Sequence, residues 1–184
     1  KDDKFHRSYN EKNWRILPRQ AVHDSSSVTY PVFTAIAAPE VQNKLNGDFA
    51  IIAGPYLQNL ATGGCELDYT LTFVSEKFIS MVFFGVLDEG EKEIFAKIPL
   101  NIDVQTGAQL ALGDVLNLRD ADLLPVLRLL TKKDKVDFSK GIPESWYYNG
   151  TNFVFCQRSE TGEWLEATVA ASDLKKFLLK PELF

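Results

Sequence analysis

The sequence predicts an α+β fold: an antiparallel sheet with helices packed on one face, built as two intimately joined α/β halves. Three observations carry that expectation. Residues 67–104 hold three runs with strand periodicity, separated by short polar turns, which reads as an antiparallel meander. Ahead of it, Val41, Leu45, Phe49, Ile52 and Tyr56 recur at helical spacing. After it, Leu123, Leu124, Val126, Leu127, Leu129 and Leu130 form a second, wide apolar helical face.

The elements follow in order. Residues 1–27 show no sustained period and end in Asp24-Ser25-Ser26-Ser27, so they are expected to form an N-terminal tether or strap. Within it, Trp14, Ile16 and Leu17 are placed to dock as one short strand. Residues 28–96 then make an N-terminal half-domain and residues 97–184 a C-terminal one. Val28 to Phe33 is β-rich, and Pro31 suits it to a sheet edge or a bulge. Ala37-Ala38-Pro39-Glu40 opens the first helix, because proline is tolerated in a first turn and Glu40 complements the positive helix end. Pro55 is expected to kink or end this helix, and Gly63-Gly64 to break it.

In the meander, Leu67, Tyr69, Leu71 and Phe73 alternate with Asp68, Thr70 and Thr72, a strand with one wet face. Phe78 to Leu87 is apolar on both faces and reads as central. Ile94 to Val104 alternates again, with Phe95, Lys97, Pro99, Asn101 and Asp103 on its other side. Gly107 lies where a tight turn needs positive φ. A second helix is expected from about Asp120 to Lys133. Trp146–Tyr148, Asn152–Gln157 and Trp164–Val169 read as further strands, and Ser172 as the cap of a final helix.

Composition narrows the function. The chain has 184 residues, 20 basic and 25 acidic, for a net charge of -5, so a general nucleic-acid binder is excluded by its repulsion of phosphate backbones. No apolar run reaches the roughly 20 residues that a membrane span needs. Residues 1–20 hold six bases (Lys1, Lys4, Arg7, Lys12, Arg15, Arg19) against three acids, a basic arm read as a solvated tether or as a contact to membrane or wall polymer. Because the chain opens on Lys1, a processed or trimmed N-terminus is expected, compatible with export.

Chemistry-bearing residues are sparse. His6, His23, Cys65 and Cys156 show no metal-ligand spacing, so no metal and no cofactor is expected. The cysteines allow a bridge, as in exported proteins, or two buried thiols, and the second is favoured. P-loop, GxGxxG, HExxH and GxSxG motifs are absent. Paired carboxylates suffice for glycoside hydrolysis, and Asp103 or Asp114 with an acid of the Glu89–Glu93 loop is the candidate pair. The plainer reading makes Asp68 a wet-face residue, Asp103 a turn residue and Asp114 a helix cap. Asn149-Gly150-Thr151 matches the glycosylation pattern but reads equally as a turn.

The stretch Pro99-Leu100-Asn101-Ile102-Asp103-Val104-Gln105-Thr106-Gly107-Ala108-Gln109-Leu110-Ala111-Leu112-Gly113-Asp114-Val115-Leu116 resembles a signature of a bacterial extracytoplasmic domain family. That family is shared by the anti-sigma factor RsiV ectodomain and the non-catalytic region of the peptidoglycan deacetylase PdaC. The likeness runs over roughly residues 28–179. Two segments depart from it: Leu87-Asp88-Glu89-Gly90, where the family carries a Tyr/Gly/His-rich hairpin end, and Cys156-Gln157-Arg158-Ser159-Glu160.

What the resemblance implies is export and binding in place of catalysis. The expected function is an extracytoplasmic, non-catalytic binding or sensing module of the cell envelope. Its partner would be a peptidoglycan fragment or a lysozyme-like protein, with no nucleic acid and an N-terminal membrane or wall tether. A peptidoglycan-active enzyme and a purely structural accessory domain are the alternatives. The expected ligand-binding residues are Asp88, Glu89 and Glu91 of the acidic hairpin, with Tyr147, Tyr148, Arg158 and Trp164 of the later strands. No catalytic residue is expected.

Overall fold

A computed structural model describes residues 6–11, 14–34 and 38–184. Lys1, Lys4 and Lys12 of the basic arm and Ala37 at the helix start lie outside the described residues. The fold is α+β. Six strands form the first sheet: β1 (Tyr9–Glu11), β2 (Trp14–His23), β3 (Ser26–Thr34), β4 (Cys65–Val74), β5 (Phe78–Asp88) and β6 (Glu93–Asp103), ordered β1 to β6 across the sheet. The helix α1 (Pro39–Gln58) packs on one face. Its Val41, Leu45, Phe49, Ala53 and Tyr56 are buried in a first core with Leu67, Tyr69, Met81, Phe83, Leu100 and Ile102.

The first sheet is mixed where a purely antiparallel one was expected. β3 and β4 run parallel, at Ser27↔Glu66 and Val28↔Leu67, because α1 carries the chain back across the sheet between them. That pairing is short. Farther along β4 its free edge is occupied by the N-terminal segment: the Leu71 N–H donates to the His6 carbonyl at 2.7 Å and the Tyr69 hydroxyl to the Arg7 carbonyl at 2.6 Å.

A second, three-stranded antiparallel sheet comprises β7 (Ser145–Tyr148), β8 (Asn152–Arg158) and β9 (Trp164–Ala170). With the short helices α2 (Leu112–Val115) and α3 (Leu123–Leu130) it builds a second core, which includes Trp146, Phe153, Phe155 and Phe177. Phe78 of β5 belongs to this second core, stacked on Trp146 at 6.3 Å between ring centroids. The second sheet is thus fastened to the face of the first that α1 leaves open.

The α+β class is as expected, with its strands divided between two sheets. Several expectations need correction. Most of the expected tether, including residues 14–23, is sheet: Ile16 is fully buried opposite Phe33. The strand left little periodic signal because Ile16 is its one buried side chain, so backbone pairing and not an apolar stripe holds it. The boundary expected at 96/97 falls inside β6. Pro55 does not end α1, which runs on to Gln58. The second helix is shorter than expected, and the helix expected after Ser172 is a 3-10 helix (171–177) whose cap is Ala170, not Ser172.

Candidate functional site

Strand alternation turns the even-numbered residues of β5, those of β4 ahead of its bulge at Leu71–Phe73, and the odd-numbered residues of β6 away from α1. Two cross-strand rows result. Asp68, Phe84 and Lys97 lie in register on β4, β5 and β6, and Glu66, Val86 and Phe95 form the next row toward the β5–β6 turn. Trp164 of β9 stands over them. Together they line a cleft of about 280 Å³ between the two sheets, with Gly85 and Ala96 completing its wall.

The inner end is polar and rigid. Lys97, only 15% exposed, forms an ion pair with Glu166 of β9. The Tyr147 hydroxyl donates to the other oxygen of the same carboxylate at 2.9 Å. The Lys97 ammonium also lies 5.5 Å from the Tyr147 ring centre and 5.7 Å from that of Phe84, within cation–π range. Burial lowers the Lys97 pKa from its ordinary value and pushes the Tyr147 phenol up to about 12. The neighbouring Cys156 thiol is pushed up to about 11 by burial, with Lys97 opposing.

The rim is acidic. Asp68 is held by Arg7, whose Nε donates to Oδ1 at 2.8 Å while Nη2 engages Oδ2. Glu66 is exposed at the mouth. One wall carries an unmet demand: the Trp164 indole Nε1 is shielded from solvent and has no acceptor. A buried N–H without a partner costs about 1–3 kcal/mol, which an acceptor oxygen supplied by a ligand would relieve. The cleft combines aromatic surface, one unsatisfied donor and fixed charges. That suits an amphipathic ligand with a flat apolar face and oxygen acceptors.

The sequence-predicted residues separate into groups. Trp164 lines the cleft, and Tyr147 supports it from behind Lys97. Tyr148 is buried in the second core among Phe73, Phe78, Phe153 and Phe184 and does not line the cleft. Arg158 pairs in register with Trp164 and its Nε donates to the Gly162 carbonyl at 3.4 Å, ordering the β8–β9 turn. Asp88, Glu89 and Glu91 sit at the exposed β5–β6 turn, where Asp88 accepts the Gly90 N–H at 2.9 Å.

Asp103 and Asp114 serve their own backbone. Asp103 accepts the Gln105 and Thr106 N–H groups, and Asp114 accepts the Ala111 N–H at 2.8 Å ahead of α2. Cys65 and Cys156 are both buried and free. Among the described residues no cluster of three His, Cys, Asp or Glu side chains is placed to hold a metal.

Sequence reasoning missed Phe84, Phe95, Lys97 and Glu166. A signal for the first three was present. A central strand that is apolar on both faces needs a second covering layer, so the alternate face of β6 could not be simply wet.

No protein-family model and no curated protein matches the chain. Solved structures do resemble it. A DUF3298 family member from Bacteroides fragilis superposes with a TM-score of 0.64 at 12% identity, covering 90% of this chain and 93% of that one. A DUF3298 family protein from Pseudomonas aeruginosa gives 0.59 at 14% identity, covering 95% and 97%. At these identities the likeness is one of fold: the chain has the α+β architecture found in bacterial DUF3298 proteins.

Proposed function

We propose that this chain is a non-catalytic binding or sensing module of the bacterial cell envelope, which holds part of a cell-wall component in the cleft beneath Trp164. The observation that carries the reading is the cleft itself: Phe84, Val86, Phe95 and Trp164 around an immobilised Lys97–Glu166 pair, with an indole N–H that lacks an acceptor. Aromatic platforms with a few fixed polar groups recognise the CH faces and oxygens of sugars. The Asp103–Leu116 stretch, with its resemblance to the RsiV and PdaC domain family, supports an extracytoplasmic setting. The fold is shared with DUF3298 proteins of two bacteria, which supports the bacterial part of the reading.

Titrating the protein with soluble peptidoglycan fragments while following tryptophan fluorescence tests this. Saturable binding at physiological salt is expected, with a signal lost in Trp164→Phe and retained in Trp14→Phe. Lysozyme is the parallel protein probe for an envelope-active partner. If neither probe binds, the chain is better read as a structural accessory domain. Fractionation of the native host should find the protein outside the cytoplasm, and a cytoplasmic protein overturns the envelope assignment.

A further inference from the structure

β6 is the last strand of the first sheet, and among the described residues β5 is the one strand it pairs with. Part of its outer edge is used: the Leu110 N–H donates to the Asn101 carbonyl, and the Asp103 N–H to the Ala108 carbonyl, both on the side away from β5. A strand directs the N–H and C=O of alternate residues to the same side, so Phe95, Lys97 and Pro99 also face outward. Pro99 agrees with this assignment, since proline is tolerated in a strand where no N–H is needed. Among the described residues, the outward N–H and C=O of Phe95 and Lys97 have no backbone partner.

Unpaired edges are ordinarily guarded by charge, proline or cover. Pro99 guards only its own end. Lys97 is no guard either, because its ammonium is turned inward to Glu166. At the open end, Ile94 and Phe95 are 38% and 52% exposed. Beside them the turn carries Asp88, Glu89, Glu91 and Glu93 against Lys92 alone.

We propose that the open edge of β6 at Phe95 and Lys97 receives an extended, basic segment of a protein partner as an added seventh strand. The backbone groups supply the hydrogen bonds, Ile94 and Phe95 contact alternate side chains of the incoming strand, and the acidic turn selects basic residues. This surface is distinct from the cleft beneath Trp164, although Phe95 borders both.

The test uses the full chain and peptides of about eight residues, enough to cover the open stretch at roughly 3.3 Å per residue. One alternates lysine and valine, a second is its twin with alternate backbone nitrogens methylated, and a third replaces lysine by glutamate. In the free protein the Phe95 and Lys97 amides should exchange with solvent far faster than those of Ala96 and Ile98, which face β5. The lysine–valine peptide should slow both. The methylated twin should bind about tenfold more weakly or worse, having lost its edge hydrogen bonds. The glutamate peptide should not bind, and Glu89→Gln with Glu91→Gln should weaken the lysine peptide severalfold without lowering the melting temperature. Equal binding of the methylated twin overturns the proposal, as does binding of the glutamate peptide or no binding by any peptide at low salt. Dimerisation through β6, seen by sedimentation, assigns the edge to a second copy and overturns it too. Cleft ligands are read separately by Trp164 fluorescence, so failure here leaves that reading standing.

Discussion

Ser80 and Asn101 face each other across β5 and β6, and the buried Ser80 hydroxyl donates to Asn101 Oδ1 at 2.7 Å. Ser80 Oγ in turn accepts the Tyr148 N–H at 2.8 Å, and Asn101 Nδ2 donates to the Trp146 carbonyl at 2.7 Å. Two side chains of the first sheet thereby satisfy two backbone groups of β7, clipping the second sheet in place.

Asn101→Ala leaves both the Trp146 carbonyl and the Ser80 hydroxyl short of partners. The expected loss is about 2–3 kcal/mol in urea unfolding. Ser80→Ala costs less, and the double variant should cost less than the sum, because the residues share one network. Additive effects would show that the two act independently.

Gly85 faces α1, and a Cβ there would lie 1.9 Å from the Tyr56 hydroxyl oxygen and 2.4 Å from Cζ. Gly85→Ala should therefore destabilise by about 1–3 kcal/mol through overpacking. Tyr56→Phe removes the nearer atom and should recover part of that loss in the double variant. A Gly85→Ala protein that melts like wild type would mean that α1 shifts freely on the sheet.

Arg7 and Asp68, 26% and 15% exposed, tie the N-terminal segment to β4. Asp68→Asn should cost about 1–2 kcal/mol, the range for a bidentate charge-assisted pair that is mostly shielded from water. A more local readout is hydrogen exchange at the Leu71 amide, which should accelerate as its acceptor, the His6 carbonyl, is released. Unchanged protection at Leu71 would show that the segment stays docked without the ion pair.

Alkaline pH should destabilise the fold partly through Cys156. Its folded pKa is raised from 9.0 to about 11, so the unfolded thiol releases its proton first as pH rises. The stabilisation is complete below about pH 9 and is lost progressively up to about pH 11, with a slope approaching 1.4 kcal/mol per pH unit. Lys97, whose pKa is lowered, works in the opposite direction over its own range. Comparing wild type with Cys156→Ala across pH 8–11 isolates the thiol: the variant should show the shallower decline. Parallel curves would remove Cys156 from the account.

The meander was legible because each of its strands writes its environment into alternating residues. Leu67, Tyr69 and Leu71 point into the first core, and the predicted limits of all three strands agree with the observed ones to within a few residues. Only the start of β2 was legible, as the short strand expected at Trp14, Ile16 and Leu17; its run on to His23 was not, because a strand with Ile16 as its one buried side chain leaves almost no pattern to read. Trp164 and Tyr147 were named as expected ligand contacts on the later strands, and both are at or beside the cleft. Lys97 did not stand out as a site residue because its partner, Glu166, lies in a different sheet. No local period encodes a contact between sheets. Tyr148 misled for a related reason: it has the same residue type as its neighbour, and only strand parity decides that one faces Lys97 and the other the second core.

Phe78 gives the two lobes a shared wall. It is a residue of β5, yet its ring meets Trp146, Tyr148 and Phe184. A gene fragment stopped just after β6 would thus yield a sheet with a bare aromatic ring, while the complementary fragment would lack the plug for its own interior. Neither piece is a finished product of dissection. Mixed together, they have the makings of a split-protein pair whose reassembly reports that the ring has found its socket.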